Sequence, residues 1–238
     1  MLIRPAILCL LVFCSFVTSA QDLVKEKSAK RLSGIEKPSR DFFMFQFAYE
    51  GWNNKPDSIK TSGFGRSVGL YLCYDWPIAK SNFSFAAGLG VSAANIYFSN
   101  QEVSLTDTGV LGAQVRFIPA QNEYKKYKLT TAYLEAPFEL RYFGNKENRN
   151  RGFKAAIGFK AGTIIGAHTK GKRTVEGTKV SDKTNTRRYM ENWRFSGTVR
   201  IGWGNLTLYG AYGFNNVFKS GMGPEVTPYS IGLTLTGL

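Results

Sequence analysis

The chain has 238 residues, enough for one domain of ordinary size, and all-β barrels often use that many. It is 43% apolar and 14% aromatic with 25 glycines, and past the N-terminus nothing approaches the roughly 18 unbroken apolar residues of a membrane helix, which argues against a helical span but not against a strand-built one. The formal charge of +14, from 31 basic and 17 acidic residues, invites a nucleic-acid reading.

The first twenty residues argue against that reading. Arg4 supplies a positive start, residues 7–17 an apolar core too short for a transmembrane anchor, and Thr18-Ser19-Ala20 small residues for cleavage before Gln21. An exported chain does not meet nucleic acid in its normal work. Cys9 and Cys14 leave with the signal peptide, and neither follows the small residue that lipoprotein processing requires. Cys73 then remains alone, so no internal disulfide forms. Cys73 and His168 are the only soft ligands left, so neither a metal nor a cofactor is expected. Residues 21–40 follow as a polar, basic leader, and the remaining 41–238 are expected to form the folded domain.

From residue 41 one pattern recurs, a strand of about ten residues and then a turn. In 41–51, Phe43, Phe45, Phe47 and Tyr49 share one face while Met44, Gln46, Ala48 and Glu50 share the other. Residues 67–76 place Val68, Leu70, Leu72, Tyr74 and Trp76 together, and residues 82–92 do the same with Phe83, Phe85, Ala87, Leu89 and Val91. The fourth strand, 129–142, sets Leu134, Ala136, Phe138 and Leu140 against Glu135, Pro137, Glu139 and Arg141; Pro137 lacks an N–H and predicts a bulge there. In the fifth, 153–165, Ile157, Phe159 and Ile165 oppose Lys154 and Lys160. In the sixth, 193–203, Phe195, Val199 and Ile201 oppose Arg194 and Arg200. The seventh spans 206–214 and the eighth 229–236. Residues 109–119 read as a hairpin standing above the membrane, since a ninth spanning strand would spoil the even count.

Two regularities select a membrane barrel over a soluble one. Every charge in these strands, Glu50 and Asp75 included, lies opposite the bulky aromatics and among Gly, Ala, Ser and Thr, as a narrow polar lumen requires. A soluble barrel reverses this arrangement. The connections also alternate: 77–81, 144–151 and 204–205 are short, whereas 52–66, 93–128 and 167–191 are long and 215–226 is intermediate. Short turns at one end and long loops at the other fit an outer-membrane barrel with both termini in the periplasm, and they gather Trp76, Phe83, Tyr142, Phe153 and Trp203 into a girdle near that edge. The expected fold is therefore an all-β, antiparallel, up-and-down transmembrane barrel of eight strands, closed because an open edge in lipid leaves backbone groups unpaired.

The segments TTAYLEAPFELRYFG and GFKAAIGFKAGTII, with KSNFSFAAGLGVS and the closing PYSIGLTLTGL, resemble the outer-membrane β-barrel family that includes the PorT-type proteins. The resemblance spans essentially the whole mature chain. It implies an exported eight-stranded barrel of mostly undefined activity, some members of the family being accessories of a protein-secretion system. It carries Tyr133, Leu134, Glu135 and Pro137 as motif positions and no catalytic residue. One departure is the C-terminus: such barrels usually end in an aromatic read by the assembly machinery, whereas this chain ends in Leu238, so recognition would rest on residues 229–235.

Three groups could carry function. Glu135, Glu139, Arg141, Lys154, Lys160, Arg194 and Arg200 face the lumen, either as a salt-bridge plug or as a charged pore lining that favours small anions. The plug is favoured, because eight strands enclose a space that side chains fill. Lys170, Lys172, Arg173, Lys179, Lys183, Arg187 and Arg188 form a basic extracellular loop, solvated by default and able to dock an envelope protein or an anionic polysaccharide. His168 is the only histidine and would have to serve any histidine-dependent chemistry, but no serine motif or nearby acid accompanies it. The resulting expectation is a non-enzymatic barrel of the bacterial outer membrane with a structural, surface or secretion-accessory role. Its expected partners are outer-membrane lipid and, during biogenesis, the barrel-assembly machinery. A narrow channel is the alternative.

Overall fold

Alternating apolar and polar residues can bury one face of a strand only if a sheet separates two environments, and here the sheet closes on itself. The computed structural model describes residues 43–106, 114–145 and 148–237; the predicted signal peptide and leader lie outside them. Among the described residues there is no helix, and eleven strands follow in order: β1 (Phe43–Asn53), β2 (Arg66–Pro77), β3 (Phe83–Phe98), β4 (Gln101–Ser104), β5 (Arg116–Pro119), β6 (Lys126–Phe143), β7 (Phe153–Val175), β8 (Thr178–Asn185), β9 (Trp193–Trp203), β10 (Leu206–Gly213) and β11 (Thr227–Thr236). Eight of them form one antiparallel ring, β6-β3-β2-β1-β11-β10-β9-β7, which the β6–β7 pairing closes. No backbone edge of that ring is left to lipid.

Each of the eight strands expected from the sequence is present, several longer than expected. β3 runs on to Phe98, β6 starts at Lys126, and β7 continues ten residues past Ile165. A membrane crossing needs about 9–11 residues, so roughly half of β7 stands beyond it. The segment expected to be a basic loop is there a hairpin: β7 turns at Glu176 and Gly177, where φ is +47° and +80°, and returns as β8. Two successive positive φ values are what a two-residue type I′ turn requires. Residues 116–119 pair only with β4, in a two-stranded sheet apart from the barrel, while 107–113 lie outside the described residues.

The expected bulge at Pro137 is absent. Pro137 stays in register with Lys160, and the β3–β6 ladder instead misses two rungs beside it, between Ala87↔Phe138 and Gly90↔Glu135. A proline without an N–H interrupts pairing there, and the other ladder carries the strand through. The bulge lies higher, at Ile165, squeezed between the pairs Ala132↔Gly166 and Tyr133↔Ile164. One extra residue reverses parity. Below it the even residues of β7 face inward; above it Ala167, Thr169 and Gly171 do.

Burial follows the parity around the ring. Outward-facing Ile157, Leu208 and Trp203 are 64%, 61% and 69% exposed, whereas inward-facing Asp75, Glu139 and Arg141 are 0%, 3% and 2% exposed. Such an inside-out surface suits only an apolar surround. At the short-turn end Phe83 lies across from Tyr142 and Phe153 across from Trp203, with ring centroids 5.2 Å apart in the first pair. The variant Ile157→Lys, at mid-strand between Leu140 and Val199, should lose about 2–4 kcal/mol of stability in lipid vesicles. Urea titration would read that loss, and a change no larger than at a water-facing site would contradict a lipid-facing exterior.

Candidate functional site

The lumen is filled in tiers. Nearest the long loops, Glu50 of β1 accepts hydrogen bonds from Arg194 of β9, at 2.8 Å, and from the Ser230 hydroxyl of β11, while the Arg194 guanidinium lies 5.2 Å over the Tyr133 ring. In the middle, Glu135 accepts from the Tyr71 hydroxyl and from Lys160 Nζ at 3.4 Å; the same ammonium donates to Tyr71 at 3.2 Å and sits 5.2 Å above both Tyr71 and Tyr209. The Tyr71 ring crosses the lumen only because two neighbours lack side chains. A Cβ at Gly69 would lie 2.6 Å from its edge, and one at Gly90 2.4 Å from it.

Toward the short turns the charges concentrate. Glu139 Oε2 accepts from Arg141 Nε at 2.7 Å and from Arg200 Nη2, and its Oε1 accepts from Arg200 Nε at 3.1 Å. Arg141 Nη1 reaches Asp75 at 2.8 Å, and Arg149, rising from the β6–β7 turn, pairs with Asp75 at 3.5 Å. Lys154 donates to the Thr236 hydroxyl at 3.4 Å and lies 5.6 Å over the Phe143 ring. Six described cations thus share the lumen with four carboxylates. The voids between these side chains measure only about 10, 10 and 20 Å³, and a single water needs roughly 10–15 Å³.

Above the charged tiers sits an apolar core assembled from the long loops. Ile59, Val103, Leu105, Val115, Met190 and Phe218 are buried against the upper strand residues Ile96, Leu129 and Ile164. Trp52 anchors it, with ring centroids 5.8 Å from Phe98, 5.8 Å from Phe218 and 6.5 Å from Phe117. No strand period in the sequence marks this cap. Its members are isolated apolar residues in polar loops with no period, and only the adjacent pairs Tyr189-Met190 and Val217-Phe218 hinted at it.

The structure brings Glu135 to Lys160, and Glu139 to Arg141 and Arg200. It places Arg194 with Glu50, and Lys154 against Thr236 and the Phe143 ring at the short-turn end. Arg149 is the addition that strand parity could not reveal, because it comes from a turn. The basic segment divides. Lys170, Lys172, Lys179 and Lys183 share the outer face of the β7–β8 hairpin, whereas Arg173 lies on the other face, bonded to Asp182 at 3.0 Å and Asn122 at 2.8 Å. Arg187 donates to the Ile164 carbonyl at 3.0 Å, and Arg188 stacks 5.5 Å over Tyr189. His168 is half-buried on the outer face; burial and then Lys183, Lys128 and Lys170 depress its pKa.

An apolar exterior, a polar and ion-paired interior, closed antiparallel pairing and loops at one end define the class of outer-membrane β-barrels. Residues 42–219 match the model of the outer membrane protein beta-barrel domain, and the chain belongs to that family. No curated protein matches it. Among solved structures it is similar to two mutants of the Rhodopseudomonas blastica porin, each at 10% identity over 83% of this chain and 99% of that one with a TM-score of 0.20, and to an engineered protein described for asymmetric conductivity, at 9% identity over the same shares with a TM-score of 0.21.

Proposed function

We propose that this is a non-enzymatic barrel of the bacterial outer membrane, its short turns in the periplasm and its long loops outside, with a lumen closed to solutes. The observation that carries the reading is the stacking of three ion-paired tiers beneath an apolar cap, with only water-sized voids between side chains. Its role is then structural, surface-interacting or accessory to a secretion assembly, exercised through the loops and the outer wall. The resemblance to PorT-type proteins supports the accessory role, and in this chain the motif residues Tyr133 and Glu135 are lumen-filling members of the upper and middle tiers. The barrel-assembly machinery is its partner during insertion, and an envelope protein or an anionic polysaccharide is a partner at the loops. The charges acting on His168 among the described residues are lysines, which do not orient it as a base.

Among the described residues of the lumen, cations outnumber carboxylates, which favours a narrow anion channel instead. Liposome swelling separates the two. Proteoliposomes in isotonic arabinose or chloride should swell no faster than protein-free ones, and rapid swelling that disappears on heat-unfolding the barrel would establish the channel.

A further inference from the structure

Beyond the lumen, the outer wall changes character abruptly at the Ile165 bulge. Below it β7 presents Ile157, Phe159 and Ile165 to lipid; directly above it the same wall presents His168, Lys170 and Lys172. The neighbouring strands match. Lys126 lies directly across from Lys172, Lys128 from Lys170, and Lys170 again from Lys183 on β8. Like charges directly opposite on a sheet repel, yet three such pairs stack here, and the outer face of β6, β7 and β8 above the bulge carries no acid among its described residues. Lys128 is half-buried, and its pKa is lowered by that burial and by Lys170 and Lys172. The one acid of the hairpin strands, Asp182, lies on the other face and is taken by Arg173 and Tyr124.

The belt continues sideways. Lys128 pairs in register with Tyr97 of β3, and Arg66 of β2 lies across from Asn95, whose side-chain oxygen accepts from Lys128 and from Thr130. Beside it opens a groove of about 380 Å³, lined among others by Arg66, Lys125 and Lys126 with Phe64 and Tyr97, and again without an acidic residue. Clustered cations beside aromatic rings, set immediately above an apolar wall, match a headgroup that carries several phosphates on sugar rings.

We propose that the outer-wall belt of Arg66, Lys126, Lys128, Lys170, Lys172 and Lys183, with the adjoining groove, binds the phosphorylated sugar headgroup of an outer-leaflet glycolipid whose acyl chains lie against the apolar strands below. The site does not depend on whether the lumen conducts. Bound phosphates relieve the repulsion within the ladder, so the same lysines that weaken the lipid-free protein strengthen the lipid-bound one.

The test is native mass spectrometry of the full-length protein in detergent, titrated with bisphosphorylated lipid A and with its dephosphorylated form. The triple variant Lys128→Gln, Lys170→Gln and Lys172→Gln should bind the phosphorylated lipid roughly 100-fold more weakly, and the single variant Lys172→Gln about fivefold, as roughly 1 kcal/mol per surface cation implies. Heat-modifiable mobility in electrophoresis reports that each variant is folded. Without lipid the triple variant should unfold at a higher temperature than the wild type, and lipid A should stabilise only the wild type. Equal binding by wild type and triple variant, or equal binding of the dephosphorylated lipid, would overturn the proposal. So would displacement of lipid A by millimolar inorganic phosphate or by a soluble sulfated polysaccharide, which would make the belt a site for free anions or for polymer.

Discussion

Glu139→Gln should lower the unfolding free energy of the refolded barrel by about 3–5 kcal/mol, the range for removing one partner of a buried ion pair. Glu139 is 3% exposed and stands between Arg141 and Arg200. Without its charge, three guanidiniums, those of Arg141, Arg149 and Arg200, are left with Asp75 as the neighbouring carboxylate described in that tier. Desolvation of the arginines persists, and the attraction that offset it is gone. Urea-induced unfolding in detergent or vesicles gives the value, with the exposed Lys179→Gln as a control expected to stay within about 0.5 kcal/mol. A loss below about 1 kcal/mol would mean that the lower tier behaves like a surface pair in water, which a closed lumen does not allow.

The second large effect falls on the cap. Phe218 is 2% exposed, edge-on to Trp52 and Phe117, and packed against Gly223. Phe218→Ala removes a ring from the centre of the apolar cluster, at a cost of about 3–5 kcal/mol. Because the cluster joins the long loops while the strands hold one another independently, that loss should open the cap and leave the ring of strands intact. Limited trypsin digestion would then cut at Lys60, Lys125 or Arg187 in the variant and not in the wild type, with the β-sheet circular dichroism signal retained. Identical digestion of the two proteins would show that the loops do not depend on a common core.

These two expectations also mark what the sequence could and could not convey. Strict alternation fixes the face of every barrel strand, because each residue between turns meets either lipid or lumen, and no charge can be hidden on the lipid side at mid-bilayer. Parity alone therefore assigns Glu135, Lys160 and Glu139 to the lumen face. Residues that do not obey a strand period escaped: Arg149 enters the lumen from a turn, and Ile59, Val103 and Phe218 pack from three separate loops. The bulge at Ile165 escaped for another reason. Pro137 was the visible anomaly, and its missing N–H was absorbed by two skipped rungs, whereas Ile165 looks ordinary in sequence and is ejected only because β6 and β7 must realign between Tyr133 and Ala132. That single residue carries the lysines of β7 to the outer wall. Simple alternation from Lys154 and Lys160 would have turned them inward.

The claim that the barrel is closed is tested most directly by single-channel recording of the refolded protein in a planar bilayer, with insertion verified independently. A silent membrane at physiological salt is the expected result, because ions must cross three ion-paired tiers and an apolar cap. Reproducible open events of fixed conductance, with an anion selectivity that changes on Lys160→Gln or Arg200→Gln, would contradict it and make the lumen a pore.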